Sequence, residues 1–339
     1  MAPDPQSIGR EFSQWLGQTS GAPLILGHFD ADGLAALAIL KRSLPGADMR
    51  LVGKGENPWD PDVQAELVER APAALIATDL GVREGDIVAG VPTCLIDHHV
   101  PTGTPGAATV ISGNGLEPEP TSALLAWWAA GADDKLLWLA AIGLIGDMAE
   151  DKGFTEMAEA QGRYGKTALR NAVSLINAPR RTASADATPA LELLLKCDSP
   201  KELLSGEHPE TAELVAAKEE VKAEMDVAKR VAPKVRGDVA LIPLDSACQI
   251  HPLIAQQWRV RLKDKVVIAA NKAYRPGWVH FAARTGAEHD LIRFFAERRP
   301  EGAGSEYGSG HKAASGGALR IPEWNRFVAE LGFPEEQIA

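Results

Sequence analysis

Residues 23–33 read Pro-Leu-Ile-Leu-Gly-His-Phe-Asp-Ala-Asp-Gly, and this stretch decides the fold. The apolar run from Pro23 to Gly27 has the length and composition of a buried strand, and residues 33–44 continue as a helix. His28, Asp30 and Asp32 stand between the two. Gly33 is expected to let the chain turn sharply into the helix. In an extended segment, residues i and i+2 point the same way. If the chain is still extended there, Asp30 and Asp32 lie side by side, and two neighbouring ions can take one carboxylate each.

The pattern recurs downstream. Residues 73–78 (AALIAT) and 93–96 (TCLI) read as short buried strands, running into Thr78-Asp79-Leu80-Gly81 and Asp97-His98-His99. Helical patterns follow over 121–131 and 133–145, the second leading to Gly146-Asp147. Short strands alternating with helices imply a mostly parallel sheet covered on both faces. Ligands of such sheets bind beyond the carboxyl ends of the strands. Three polar clusters are thus expected at one sheet edge, with Asp147 as a fourth.

Taken singly, these residues have ordinary explanations. An Asp after a strand is commonly a helix N-cap, and a His-His pair is commonly surface polarity. Together they are costly, because clustered carboxylates resist ionising side by side. Divalent cations remove that penalty. Mixed imidazole and carboxylate donors suit Mn, Fe, Co or Zn better than Ca or Mg. Two ions about 3.5–4 Å apart can clamp a bridging phosphate.

Residues 151 to about 205 read as helical but weakly patterned, and 209–231 as a long charged helix ended by Pro233. Leu214, Val221, Met225 and Ala228 share one side of it. A second α/β pattern follows. Strands are expected at 238–242, 266–270, 278–284 and 318–321, and helices at 249–262, 290–298 and near the C-terminus. The Gly-rich run 302–317 reads as a loop whose backbone N–H groups cradle an anion. Arg298, Arg299 and Lys312 add positive charge nearby.

The segments HFDADG (28–33), TDLG (78–81), IDHH (96–99) and IGD (145–147) resemble, in order, the four motifs of the DHH phosphoesterase superfamily. GSGHKAASGG (308–317) resembles the GGGHxxAAG motif of the associated DHHA1 domain, with Ser309 where that pattern has glycine. The His-x-Asp-x-Asp-Gly spacing is closest to RecJ-like single-strand nucleases of the archaeal type. The resemblance implies that His28, Asp30 and Asp79 hold one metal. It implies that Asp32, Asp79, His98 and Asp147 hold the other, with Asp79 bridging. It gives Asp97 an orienting role and His99 a place facing the substrate phosphate. Arg284, His311 and the loop glycines Gly308, Gly310 and Gly316 would bind substrate. The implied cofactor is two Mn²⁺ ions, with Mg²⁺ or Co²⁺ as substitutes.

A chain of 339 residues is expected to hold two domains. The boundaries read as 1–190 for the metal-binding α/β domain, 191–235 for a helical linker and 236–339 for a smaller DHHA1-like α/β domain. A cleft is expected between them, with His99 on one wall and His311 on the other. The formal net charge of -11 argues against coating long duplex nucleic acid. It leaves room for a short substrate, and the added oligonucleotide-binding barrel of full-length bacterial RecJ is not expected in these residues. The N-terminus lacks the apolar core of a secretion signal, and the longest apolar stretch, 136–146, is too short to cross a bilayer. Cys94, Cys197 and Cys248 are odd in number and lack Cys-x-x-Cys spacing. This suits a reducing compartment, so the expected localisation is cytoplasmic. Trp127 and Trp128 read as core or interface, and His251 as structural. His208, His280 and His289 fall in no visible cluster.

The expected activity is metal-dependent hydrolysis of phosphodiester bonds in short single-stranded oligonucleotides or dinucleotides. The alternatives are a phosphatase for a small compound of the pAp or pyrophosphate type, and a catalytically inactive protein that binds nucleic acid or a replication partner. The expected partners are the substrate and a second copy of the chain, with no membrane.

Overall fold

The computed structural model describes residues 2–286, 289–304 and 306–338, with Ser309 described in its backbone only. The chain divides into two compact units. The first takes the described residues through Arg180 together with Ser184–Ala216. The second takes Arg181–Ala183 and the described residues from Ala217 onward.

The first unit opens with α1 (Pro5–Leu16), β1 (Leu24–His28), α2 (Ala31–Ser43), β2 (Asp48–Val52) and α3 (Pro61–Arg70). Then come β3 (Leu75–Thr78), β4 (Thr93–Asp97), β5 (Thr109–Ser112), α4 (Ser122–Ala129) and α5 (Leu137–Gly146). Five further helices close it: α6 (Thr155–Tyr164), α7 (Lys166–Ile176), α8 (Thr188–Lys196), α9 (Pro200–Leu203) and α10 (Pro209–Ala228), the last running on into the second unit. The five strands form one all-parallel sheet in the order β2-β1-β3-β4-β5. The order reverses between β1 and β3, and such a switch point opens a crevice at the carboxyl edge.

The interior strands are mostly apolar up to their carboxyl ends, as burial on both faces requires. Helix α2 is buried from Ala31 to Leu40, and α4 along its whole length. A helix that is apolar all round belongs inside a core rather than on its surface. Small residues let these helices pack closely, and Ala35, Ala36, Ala123 and Ala126 are fully buried at their contacts.

Two strands of the first unit were not evident in the sequence. β2 and β5 lie at the sheet edges, and β2 carries Asp48 and Arg50, the latter tied to Glu56 and Glu66. Polar edge strands lack the apolar run that marks a central one. Helix α10 ends at Ala228, so Pro233 does not terminate it. The four apolar positions on α10 are buried, but in different cores. Leu214 joins the first unit's cluster, while Val221, Met225 and Ala228 join one of the second's.

The second unit contains β6 (Lys234–Arg236), β7 (Val239–Leu244), α11 (His251–Arg261), β8 (Val266–Arg275), β9 (Trp278–Thr285), α12 (Leu291–Glu297), β10 (Ser309–His311), β11 (Ala314–Arg320) and α13 (Ile321–Glu330). Its sheet runs β10-β11-β9-β8-β7-β6, parallel only between β7 and β8. Phe281, Phe295, Tyr307 and Phe327 pack together in its aromatic core, mostly in tilted and edge-to-face pairs. The Gly-rich run is more ordered than a loop reading suggests, because residues 309–320 form the β10–β11 hairpin. No helix among the described residues is long and apolar enough to cross a membrane.

Candidate metal centre

His28 closes β1, Asp79 follows β3, and Asp97 closes β4, so the sheet delivers all three to one edge. Asp30 caps α2, its carboxylate accepting the Gly33 N–H at 3.1 Å. The extended segment therefore stops short of Asp32, which lies in the first turn of the helix. The condition for side-by-side carboxylates is therefore not met, because the cap turns the chain before Asp32 is reached. Gly33 also differs from its expected role. A Cβ there would lie 2.5 Å from the His28 carbonyl oxygen, so glycine is required by close packing rather than by a turn.

The two carboxylates enter different donor groups. His28, Asp30 and Asp79 place one ligand atom each within 4.8 Å of one another, and so do Asp32, His98 and Asp147. Asp79, His98 and His99 form a third such group, which places Asp79 in two of the three. Asp79 has φ +63, a left-handed conformation uncommon outside glycine, followed by Gly81 at +83.

Asp32 is fully buried, and its carboxylate accepts the N–H groups of Ser122 and Ala123 at 2.8 and 2.9 Å. These amides open α4, where the helix dipole favours an anion. Ser122 Oγ donates to Asp79 at 2.9 Å. Asp97 accepts N–H groups from Gly81 and His99 and stands 3.1 Å from His99 Nδ1. Asp97 thus fixes the His99 ring, whose outer face is exposed.

The electrostatics show a site short of positive charge. Burial, then the charges of Asp79 and Asp147, push Asp32 well above the usual carboxylate range. Burial and the Asp30 charge push Asp79 up to about 7. Burial alone would lower His28, but Asp30 and Asp79 outweigh it and raise it to about 10. Asp30 goes the other way. Burial would raise it, yet His28, Arg180 and the Gly33 amide hold it well below its usual range. The hydrogen bond to Asp97 lifts His99 to about 9, against burial.

The residues fit divalent ions on a further observation. His98 Nε2 is buried without a well-formed hydrogen bond, although it faces Asp147 at 3.0 Å and Asp32 and Asp79 at 3.8 Å each. An imidazole nitrogen aimed at three carboxylates is the geometry of a shared cation.

Asn177 and Arg180 were missed in the sequence. Asn177 Oδ1 accepts the Ala31 N–H at 3.0 Å, and Arg180 Nη1 lies 3.4 Å from Asp30. Both follow α7 in a stretch without a strong pattern. The one local signal was an Asn ahead of Ala-Pro-Arg-Arg, where Pro179 ends the helical run.

The remaining expected residues belong to the second unit. Arg284 lies on β9 and donates to the carbonyls of Ala283 and Ser315 at 2.8 and 3.4 Å. Burial, then the charge of Arg259, lowers its pKa. His311 ends β10 and is exposed. Gly308 and Gly310 have positive φ, and a Cβ on Gly316 would lie 2.6 Å from the Phe281 carbonyl oxygen.

No protein-family model matches the sequence, and none of the curated proteins does. Solved structures do match. A RecJ exonuclease bound to manganese aligns over 100% of this chain and 98% of its own, with TM-score 0.66 at 21% identity. RecJ from Thermus thermophilus in complex with Mn²⁺ aligns over 97% of this chain with TM-score 0.67 at 20% identity, and the chain spans 54% of that protein. The DHH domain of a member of a ribosomal-protein family aligns over 96% of this chain and 88% of its own, with TM-score 0.62 at 16% identity. In fold, the chain is similar to RecJ and to a DHH-domain structure.

Proposed function

We propose that the chain is a divalent-metal-dependent phosphodiesterase acting on short single-stranded oligonucleotides or dinucleotides. The observation that supports it most is the convergence of His28, Asp30, Asp32, Asp79, His98 and Asp147 at one edge of the parallel sheet. His28, Asp30 and Asp79 would hold one ion. Asp32, Asp79, His98 and Asp147 would hold the other. Bound there, divalent ions supply Lewis acidity to a phosphoryl oxygen and offset the charge that builds up on it.

The chain's own groups do the rest. Asp97 holds the His99 ring in place and keeps it protonated at neutral pH, so its exposed edge offers a proton donor to a phosphate oxygen. Ser122 and the first amides of α4 hold Asp79 and Asp32 in position. Arg180 restrains Asp30. In the second unit, Arg284 presents a planar fork suited to a phosphate, and His311 with Gly308, Gly310 and Gly316 completes the substrate-holding set. Donors of imidazole and carboxylate favour Mn²⁺ as the working ion, with Mg²⁺ or Co²⁺ as substitutes.

The test is a Mn²⁺-dependent panel of p-nitrophenyl phosphate, pAp, dinucleotides and 5′-labelled oligomers. Hydrolysis concentrated on dinucleotides and short oligomers supports the proposal. Turnover of pAp alone would replace it with a small-molecule phosphatase. Binding of oligomers without turnover of any substrate would leave a nucleic-acid-binding protein. Light scattering on the same preparation reads whether the chain pairs with itself.

A further inference from the structure

A second group of donors lies in the first unit. Cys197 ends α8, Ser199 caps the short α9, and His208 stands immediately before α10. The return made by this segment brings Cys197 Sγ, a Glu202 carboxylate oxygen and a His208 ring nitrogen within 4.8 Å of one another. His208 Nε2 is 3.3 Å from Glu202 Oε1. Cys197 is fully buried, while Glu202 and His208 are partly exposed and open a route to solvent.

We infer that Cys197, Glu202 and His208 form a separate metal site for one zinc-class ion, held by a thiolate, a carboxylate and an imidazole, with water completing a tetrahedron. Its role is structural, fixing the return that launches α10.

Three observations carry this. The first is donor chemistry. The donor groups at the sheet edge contain only carboxylates and imidazoles, whereas this one includes a thiol. Thiolate selects zinc over manganese or magnesium, so the two sites would not compete for one ion.

The second is distance. Zinc bonds to nitrogen and oxygen of about 2.0–2.2 Å set a tetrahedral N···O edge of about 3.3–3.4 Å. The His208–Glu202 separation already matches. The sulfur, within 4.8 Å of both, needs a shift of about 1.2 Å at most to reach its own edge of about 3.6 Å.

The third is charge. The neighbouring cations are engaged elsewhere. Lys196 pairs with Glu192 and Glu210, and Arg42 with Asp198. Glu202 pairs with no Lys or Arg among the described residues. Its other oxygen accepts the Asp198 N–H at 2.8 Å, which orients the carboxylate as an outer contact would in a metal site. A His–Glu hydrogen bond would account for those two side chains, but it assigns nothing to the thiol beside them.

The test uses the full chain, stripped with chelator and titrated with Co²⁺. Cobalt bound to a thiolate gives a near-ultraviolet charge-transfer band that oxygen and nitrogen donors do not give. One equivalent of that band is expected, displaced by Zn²⁺, lost in Cys197→Ser and retained in Cys248→Ser. Mn²⁺-dependent hydrolysis should be unchanged in Cys197→Ser. No band in the unaltered chain, or a band that survives Cys197→Ser, overturns the inference. Should Cys197→Ser fail to fold, His208→Ala and Glu202→Gln give the same reading, and a full-strength band in both overturns it equally.

Discussion

Gly143→Ala separates a site held by packing from one held only by its donors. Gly143 lies in α5, against α2 and α4. A Cβ placed there would sit 2.2 Å from Asp32 Oδ1 and 2.5 Å from Ala123 Cβ. Ordinary contact begins at 3.4 Å, so α4 and α5 would have to part by about 1 Å, or the carboxylate would have to leave its place. Overpacking of this kind costs about 1–3 kcal/mol. If the carboxylate moves instead, it gives up charge-assisted bonds to Ser122 and Ala123, each worth about 1.5–3 kcal/mol. The melting temperature should fall by about 2–4 °C for each kcal/mol lost in a unit of this size. Mn²⁺ affinity should fall about 10–100-fold, the scale seen when groups that orient a ligand are disturbed. Gly162→Ala is the control, because that exposed residue of α6 has nothing within 4 Å of its added Cβ. It should be neutral or stabilise by about 0.4–1 kcal/mol. Equal thermal and Mn²⁺ titration curves for Gly143→Ala and the parent chain would refute the reasoning.

Asp79→Ala should lower bound metal from about two ions to one or fewer and cost more than about 100-fold in hydrolysis, beyond the range for an outer partner. Full metal content by elemental analysis would remove Asp79 from its bridging role. Asn177→Ala leaves the buried Ala31 N–H without its acceptor, so a loss of about 1–3 kcal/mol is expected on thermal unfolding. Mn²⁺ titration should weaken in parallel, since the α2 start that carries Asp30 loses its anchor. Arg284→Ala should leave metal content unchanged and slow oligonucleotide hydrolysis far more than hydrolysis of an aryl phosphate, which offers no second phosphate. Equal losses on both substrates would reduce Arg284 to a structural residue of β9.

The strands β1, β3 and β4 were legible because burial on both faces demands an unbroken apolar run. Their polar ends were legible because a charged cluster directly after such a run has few structural uses. The edge strands β2 and β5 were not, since each needs apolar side chains on one face at most. Which ion group each of Asp30 and Asp32 would join came from the family resemblance and not from local geometry. That geometry depends on whether the chain is still extended at residue 32, and the Asp30 cap settles that through one hydrogen bond. Asn177 and Arg180 reach the site only through the packing of α7 against α5, which no local pattern encodes. The same holds for Cys197, Glu202 and His208. They are three residue types at irregular spacing, joined by a return whose shape comes from the Ser199 cap and the helices on either side.

Helix α2 carries two demands that work through the same atoms. Its apolar side chains fill the centre of the first unit's core, and its first turn supplies Asp30 and Asp32. Close approach of α5 is what leaves no room at Gly143 and Gly146, where added Cβ atoms would meet Asp32 Oδ1 at 2.2 Å and Ala31 Cβ at 2.9 Å. The amides of α4 then hold a carboxylate that burial and its neighbours' charges drive toward protonation. A core substitution that shifts α2 along its axis would therefore move the metal donors by the same amount. Leu37→Ala is such a case. Leu37 is fully buried against Gly27, where an added Cβ would lie 2.6 Å from its side chain. The truncation should cost about 2–5 kcal/mol. If α2 settles into the space left, Mn²⁺ affinity falls with stability, although Leu37 touches no donor. Retention of full affinity in a destabilised Leu37→Ala chain would show that the α4 and α7 contacts fix the first turn independently of the core beneath it.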